Sequence, residues 1–329
     1  MAGDRDLAVA FATAWKRYET RPWVGWEVTA ATGVRGLRLL NESGAFARML
    51  LTEASDEAVG VLRENAGRWP NAEVEQRDGR HAPAEAEFDY VDIDPYGSPA
   101  PFVPAAFTAL RPGGILAATA TDMMVLAGVQ AGACERKYGA RPIRGRLGPE
   151  GGLRILLGYL AGEARSRGLL ARPLVAYVRE HHVRVVVRVT VAGDEPPADP
   201  VGTIAPTEWT GPRVGDRGPY GPLWLGPLFD PDLVRDLRVP PTSHEPAATE
   251  RLLATWQEEI SADVPFYYES NQLASALTLA TPPPLESFVA DLRRAGYRAA
   301  RTHVRPEGFR TDAPRPAVEA LARTLSNPP

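Results

Sequence analysis

Phe88-Asp89-Tyr90-Val91-Asp92-Ile93-Asp94-Pro95-Tyr96-Gly97-Ser98-Pro99-Ala100-Pro101-Phe102 starts as one kind of structure and ends as another. Its first half is apolar and aromatic, the composition of a strand buried on both faces of a parallel sheet. Pro95 ends that strand, because proline has no N–H to give to a ladder. Gly97, Pro99 and Pro101 then hold an irregular loop before a helical pattern from Phe102 to Leu110. In open α/β sheets ligands bind in the crevice beyond the carboxyl ends of the strands. Asp94 therefore stands where chemistry would be done.

A D-P-Y loop suits one demanding nucleophile. The exocyclic amino nitrogen of a nucleobase attacks poorly, since its lone pair is delocalised into the ring. A carboxylate oxygen and a nearby backbone carbonyl can accept its two N–H groups and concentrate electron density on nitrogen. Asp94 would supply the first acceptor, Pro95 would fix the carbonyl, and Tyr96 would offer a flat face to the base. The plain alternative is a simple Asp-Pro turn, with Asp94 capping the next helix.

Outward from this loop the chain alternates strand and helix, which predicts a doubly wound, Rossmann-like α/β sheet. Asp4 to Tyr18 has helical spacing, and Trp23 to Val28 reads as the first strand. Thr29 to Gly33 then turns into a helix over Leu37 to Leu40, and such a turn lets backbone approach an anionic ligand. Ala31-Thr32-Gly33-Val34-Arg35-Gly36 lacks the full G-x-G-x-x-G pattern. Arg48 to Leu51 predicts a second strand ending at Thr52-Glu53. Glu53 lies 20 residues after Gly33, the offset at which an acid reads ribose hydroxyls. A helix from Asp56 to Ala66 and a strand from Ala72 to Gln76 lead to Asp78-Gly79, where an acid can accept from an adenine amino group. Gly114 to Ala120 is the fifth strand, closed by Thr121-Asp122. A dinucleotide-dependent oxidoreductase would share the first two strands but would not need the D-P-Y-G loop.

Gly128 to Gly148 reads as loop-rich and basic, a contact for a phosphate backbone, with Arg136, Lys137, Arg141, Arg144 and Arg146 against Glu135. A helix over Gly151 to Ser166 and strands over Pro173 to Val178 and His182 to Val191 complete a first domain, 1–192. His181 and His182 between those strands read as structural histidines. A proline- and glycine-rich linker is expected over 193–219, then a smaller α+β domain, 220–329. Val264 to Leu277 and Leu285 to Gly296, separated by Pro282 to Pro284, suggest a helix-turn-helix with a wing. Arg293, Arg294, Arg298, Arg301 and His303 would there meet phosphates or form a solvated face.

The 329 residues are 44 % hydrophobic, enough for two cores, and the net charge of −4 is not that of a basic nucleic-acid module. Cys134 is alone, which excludes an internal disulfide and a multi-cysteine zinc site, so no metal is expected. With no apolar run of spanning length and no export signal, a soluble, unexported protein is expected.

The loop DIDPYGSPAPF resembles the D-[IL]-D-P-[FY]-G-S-P signature of the tRNA guanine-26 N2-dimethyltransferases. Asp4-Arg5-Asp6-Leu7, Ala31 to Gly36, Thr119-Ala120-Thr121-Asp122, Tyr220 to Leu228 and Arg301-Thr302-His303 resemble the same family in the same order. The resemblance implies S-adenosylmethionine held by Arg5, Gly33, Arg35, Glu53, Asp78 and Gly79, with Arg5 or Arg35 facing its carboxylate. It implies guanine N2 placed by Asp94, Pro95 and Tyr96. Arg136, Lys137, Arg144, Arg293, Arg294, Arg298 and Arg301 would carry tRNA, in a cytoplasmic monomer that binds neither DNA nor membrane. Paired cysteines near the linker, present in many members, are missing here. So is an aromatic stretch like F-Y-N-P, since the chain opens at Met1-Ala2-Gly3-Asp4-Arg5-Asp6. Either the natural start lies upstream, or a one-sided pocket makes this a weak or inactive tRNA-binding homologue.

Overall fold

The computed structural model describes residues 2–84, 87–193, 200–205 and 218–326. Seven strands form the main sheet: β1 (Trp23–Glu27), β2 (Phe46–Glu53), β3 (Ala72–Gln76), β4 (Phe88–Ile93), β5 (Leu110–Ala120), β6 (Leu169–Arg179) and β7 (His182–Val191). Their spatial order is β3-β2-β1-β4-β5-β7-β6. The first five are parallel, and β7 is antiparallel to both β5 and β6. The chain runs outward from β1 to β3, then returns to lay β4 on the other side of β1. That reversal opens a crevice between the carboxyl ends of β1 and β4.

Each layer follows from its sequence. All six residues of β4 are buried, as a central parallel strand requires. The helices α1 (Ala2–Trp15), α2 (Val34–Glu42), α3 (Asp56–Ala66), α4 (Val103–Ala109), α5 (Met123–Leu126), α6 (Ala131–Tyr138) and α7 (Gly148–Arg165) cover the faces. Ser55 caps α3 through a hydrogen bond from Ala58 N–H. Trp23, Trp26 and Tyr90 are fully buried beside Phe46 and Phe88. Each such side chain contributes roughly 1.5–3 kcal/mol on burial.

Two expectations need correction. Gly128 to Gly148 is not merely loop, for α6 lies inside it. Cys134 and Tyr138, one turn apart, form its buried face, and Gly139 closes it at φ 65°. The expected linker also contributes structure, because β8 (Val201–Ile204) pairs antiparallel with β9 (Tyr220–Trp224). The rest of that segment, 194–199 and 206–217, lies outside the described residues.

Buried apolar residues fall into two clusters. The larger runs from Leu7 to Tyr267 and includes Tyr220, Trp224, Phe229 and Trp256. The smaller, from Leu273 to Ala322, lies under helices Ser270–Leu277, Leu285–Arg294 and Arg315–Ser326 and a three-stranded sheet. In that sheet Ala299–Arg301 and Gly308–Thr311 form an antiparallel pair after two helices, the expected place of a wing.

Candidate active site

The crevice is a cleft of about 720 Å³. Arg5, Arg35, Glu53, Asp78, Gly79, Asp94, Pro95 and Tyr96 all line it, brought together from five separate strand ends and helix starts. Gly33 does not line it. Its φ of 77° makes the turn into α2, and an added Cβ would meet Leu62 Cδ1 at 2.5 Å. Gly79 packs so closely on the end of β1 that a Cβ would sit 2.7 Å from the Val28 carbonyl oxygen.

Asp94 is held from two directions. Its backbone N–H donates to Thr29 Oγ1 at 3.3 Å, and Arg35 donates a short ion-paired hydrogen bond to Oδ2. Oδ1 has no partner among the described residues and is left to accept from a ligand. Arg35 is 7 % exposed, and its Nη1 is buried without a hydrogen-bond partner. Arg5 is half-buried in the cleft wall and enters no ion pair or hydrogen bond among the described residues. Two guanidinium groups thus present open donors to one space. Buried donors left open are expensive unless a ligand takes them.

Under Asp94 lies a second pair. Arg184 donates to Asp92 Oδ1 at 3.1 Å and Oδ2 at 2.6 Å, and to Thr119 Oγ1 at 2.7 Å. Burial alone would raise the Asp92 carboxyl, but Arg184 and Arg35 outweigh it and keep Asp92 ionised. Glu27 accepts the Gly36 N–H at 2.9 Å. Burial, reinforced by the Asp92 charge, pushes its carboxyl up to about 8. The charge count agrees: Arg35 and Arg184 already balance Asp92 and Asp94, so an ionised Glu27 would be in excess.

On the cofactor side, Glu53 accepts from Ala31 N–H and Ser55 N–H, both at 2.9 Å. It fixes the turn after β1, with Ala31 held at φ 49°, and retains lone pairs for hydroxyl donors. Asp78 is paired with Arg80, whose guanidinium holds its carboxyl at about 2. Tyr96 stands fully exposed at the mouth.

The sequence reading missed Glu27, Asp92, Arg184 and His182. The strand of valines carries Arg184 and Arg188 on one face, and only the structure shows that Arg184 is the buried one. His182 also lines the cleft, and its Nε2 lies 3.0 Å from Asp4 Oδ1, which accepts from Tyr177 as well. Burial would raise Asp4, yet His182 and Arg179 outweigh it and hold Asp4 well below the usual range.

The expected phosphate-binding residues are not all free. Arg293 pairs with Glu258, Arg294 with Asp291, Arg298 with Asp312, Arg301 with Glu286 and Lys137 with Asp122. Arg136 and Arg144 are exposed and enter no ion pair among the described residues. His303 is a correction: its side chain is 0 % exposed and bonded to Glu259, so it cannot meet phosphate.

Sheet order and a polar cleft at the β1/β4 reversal define a Rossmann-like methyltransferase with an appended C-terminal unit. The chain belongs to the family described as N2,N2-dimethylguanosine tRNA methyltransferase, whose profile matches residues 1–196 and 214–323. It is 36 % identical over 332 residues to the tRNA (guanine(26)-N(2))-dimethyltransferase of Thermococcus kodakarensis, covering 91 % of this chain and 86 % of that one. The enzyme of the same name from Pyrobaculum arsenaticum is 34 % identical, with 99 % and 90 % covered. Among solved structures, Trm1 from Pyrococcus horikoshii in complex with S-adenosyl-L-methionine superposes with a TM-score of 0.85 at 28 % identity. That match covers 99 % of this chain and 93 % of that one.

Proposed function

We propose that this protein transfers methyl groups from S-adenosylmethionine to the exocyclic N2 of a guanine in tRNA. The position would be 26, and two rounds would give N2-methyl- and then N2,N2-dimethylguanosine. The observation that carries the reading is the juxtaposition in one cleft of Asp94 Oδ1, an open acceptor, with Arg5 and Arg35 Nη1, open donors.

The residues fit the cofactor. Arg5 and Arg35 Nη1 would take its carboxylate, Glu53 its ribose hydroxyls and Asp78 its adenine amino group, with Gly79 leaving room for close approach. When bound, S-adenosylmethionine supplies an electrophilic methyl group. The protein's part is to place the nucleophile. Asp94 Oδ1 accepts one N–H of the guanine amine and a loop carbonyl fixed by Pro95 accepts the other. Tyr96 presents its ring to the base. Arg35 holds the Asp94 carboxylate aimed through its bond to Oδ2, so the acceptor needs no reorganisation as charge develops on nitrogen. A guanine reaches this depth only after leaving its stack. Arg136 and Arg144 are the phosphate contacts best placed to act without first breaking a protein ion pair. Arg293, Arg294, Arg298 and Arg301 would have to exchange their carboxylates for phosphate.

No helix among the described residues is long and apolar enough to cross a membrane. No group of three or more His, Cys, Asp or Glu residues among them could hold a metal ion. The same reading takes the protein as a monomer acting on tRNA, not DNA, in the cytoplasm.

The test is nucleoside mass spectrometry of unmodified tRNA incubated with the protein and S-adenosylmethionine. N2-methyl- and N2,N2-dimethylguanosine at a single position are expected. tRNA that is bound but left unmethylated would overturn the reading in favour of a binding protein.

A further inference from the structure

From Asp94 to Pro99 the chain has no regular structure, so no ladder or helix holds the reactive loop. It is held instead by the segment that follows β5 and by α6. Gly97 N–H donates to Thr121 Oγ1 at 2.7 Å, and Thr121 N–H returns a bond to the Gly97 carbonyl at 2.9 Å. One residue on, Ser98 Oγ lies 2.7 Å from the Tyr138 hydroxyl. Tyr138 gives its single O–H to Asp122 Oδ1 at 3.0 Å, so the Ser98 hydroxyl must be the donor to Tyr138. Lys137 Nζ takes the other Asp122 oxygen at 3.2 Å.

The far end of this chain of bonds is rigid. Tyr138 is buried on α6 and packs edge-on against Tyr159, with ring centroids 5.6 Å apart. The Tyr159 hydroxyl reaches back to the Ala100 carbonyl at 3.4 Å. The Asp122 carboxylate is only 9 % exposed and would be costly to bury without both partners. Neither Tyr138, Asp122 nor Lys137 lines the cleft. Tyr138 touches the loop at Ser98, and Asp122 and Lys137 act on it through Tyr138.

We propose that Tyr138 and Asp122 are positioning residues that set the aim of Asp94 and the Pro95 carbonyl. Lys137, which looks from sequence like a phosphate contact, serves the same device by neutralising Asp122. Its kinetic consequence rests on the methyl-transfer reading, whereas its consequence for loop order does not. A misplacement of the order of 1 Å can cost about a hundredfold in rate, so partial loosening is expected to show in turnover before it shows in binding.

The test uses the full chain with Tyr138→Phe, which removes one oxygen, and Lys137→Met, which keeps the length but not the charge. Both are expected to lower kcat on tRNA about tenfold, within the range that misplacement causes. KM for tRNA and the cofactor Kd should stay at parental values. Hydrogen–deuterium exchange over residues 94–102 should rise, while exchange over 46–66 should not. Parental kcat and exchange in Tyr138→Phe would overturn the proposal. A raised KM for tRNA at parental kcat in Lys137→Met would return Lys137 to the phosphate surface. If the parent itself methylates no tRNA, the functional reading fails, and the exchange result alone decides the positioning claim.

Discussion

Two clusters of buried charge in this protein use the same side chains to opposite ends. One is the cleft cluster of Glu27, Arg35, Asp92, Asp94 and Arg184. The other joins α7 to the C-terminal unit through Glu150, Arg154, Glu259, His303 and Arg310, all with side chains 0 % exposed. Arg310 donates to Glu150 at 2.8 Å, to Glu259 at 2.5 Å and to the carbonyls of Val264 and Phe266. Arg154 donates to Glu150 at 2.7 Å and to the carbonyls of Trp224 and Gly226. Val178 N–H donates to His303 Nε2 at 3.2 Å, so the ring proton sits on Nδ1, 2.6 Å from Glu259. These arginines are wrapped by protein carbonyls, and the group fastens one part of the chain to another. In the cleft, Arg35 pairs with Asp94, and Glu27, Arg35, Asp94 and Arg184 line the cavity, as no member of the other group does. Arg154 Nη2 and Arg310 Nη2 are also buried without a hydrogen-bond partner among the described residues, so what sets Arg35 apart is that it lines the cleft, where a ligand can reach its open donor.

Both clusters are also balanced in the same way. Arg154 and Arg310 offset Glu150 and Glu259, and the additional carboxyl, Asp263, is pushed up by burial to about 6. Arg35 and Arg184 offset Asp92 and Asp94, and the additional carboxyl is Glu27.

If the interior cluster is a fastening, Arg310→Met is the most damaging single change. It leaves Glu150 to Arg154 and Glu259 to His303 and Thr302, takes away the arginine that joins them, and should cost about 3–5 kcal/mol of stability, measured by denaturant unfolding. A loss under about 1 kcal/mol, the size of an exposed pair, would erase the distinction between the two clusters. The counterpart in the cleft is Arg5→Ala. Because Arg5 enters no ion pair or hydrogen bond among the described residues, stability should move by no more than about 0.5 kcal/mol. Cofactor Kd should nevertheless rise by roughly ten- to a hundredfold, the worth of a charge-assisted hydrogen bond. Isothermal titration and unfolding on the same variant would separate the two effects.

The smallest effect is one of pH. The Glu27 carboxyl is raised from an ordinary value of 4.5 to about 8. Between those values the unfolded chain releases this proton and the folded chain keeps it. Stability therefore falls as pH rises through the window, by at most about 1.4 kcal/mol per pH unit for one proton. Glu27→Gln should lose that fall from pH 6 to 7 while keeping the acceptor for Gly36. An unchanged slope would mean Glu27 is ionised and the charge balance of the cleft is wrong.

Much of this was legible in the sequence where the signal is local. The helix expected from Asp56 to Ala66 and the strand from Ala72 to Gln76 have the bounds of α3 and β3, and Glu53 is placed at a strand end by its spacing from Gly33. What was not legible depends on partners distant in sequence. An eight-residue α6 with two buried side chains leaves almost no period to read. The pairing of β8 requires β9, and Arg35 meets Asp94 only because β1 and β4 are neighbours. His303, set among arginines, looks like part of a phosphate surface until Glu259 is folded against it.

The central claim is that Asp94 serves the nucleophile and not the cofactor. It is tested most directly by Asp94→Ala, with cofactor Kd and single-turnover methyl transfer to tRNA measured on the same preparation. Losing one preorganised acceptor should slow transfer by roughly 10²–10³-fold while cofactor Kd stays within a few-fold of the parent. Transfer within a few-fold of the parent, or a loss of cofactor binding that accounts for the whole rate loss, would contradict it.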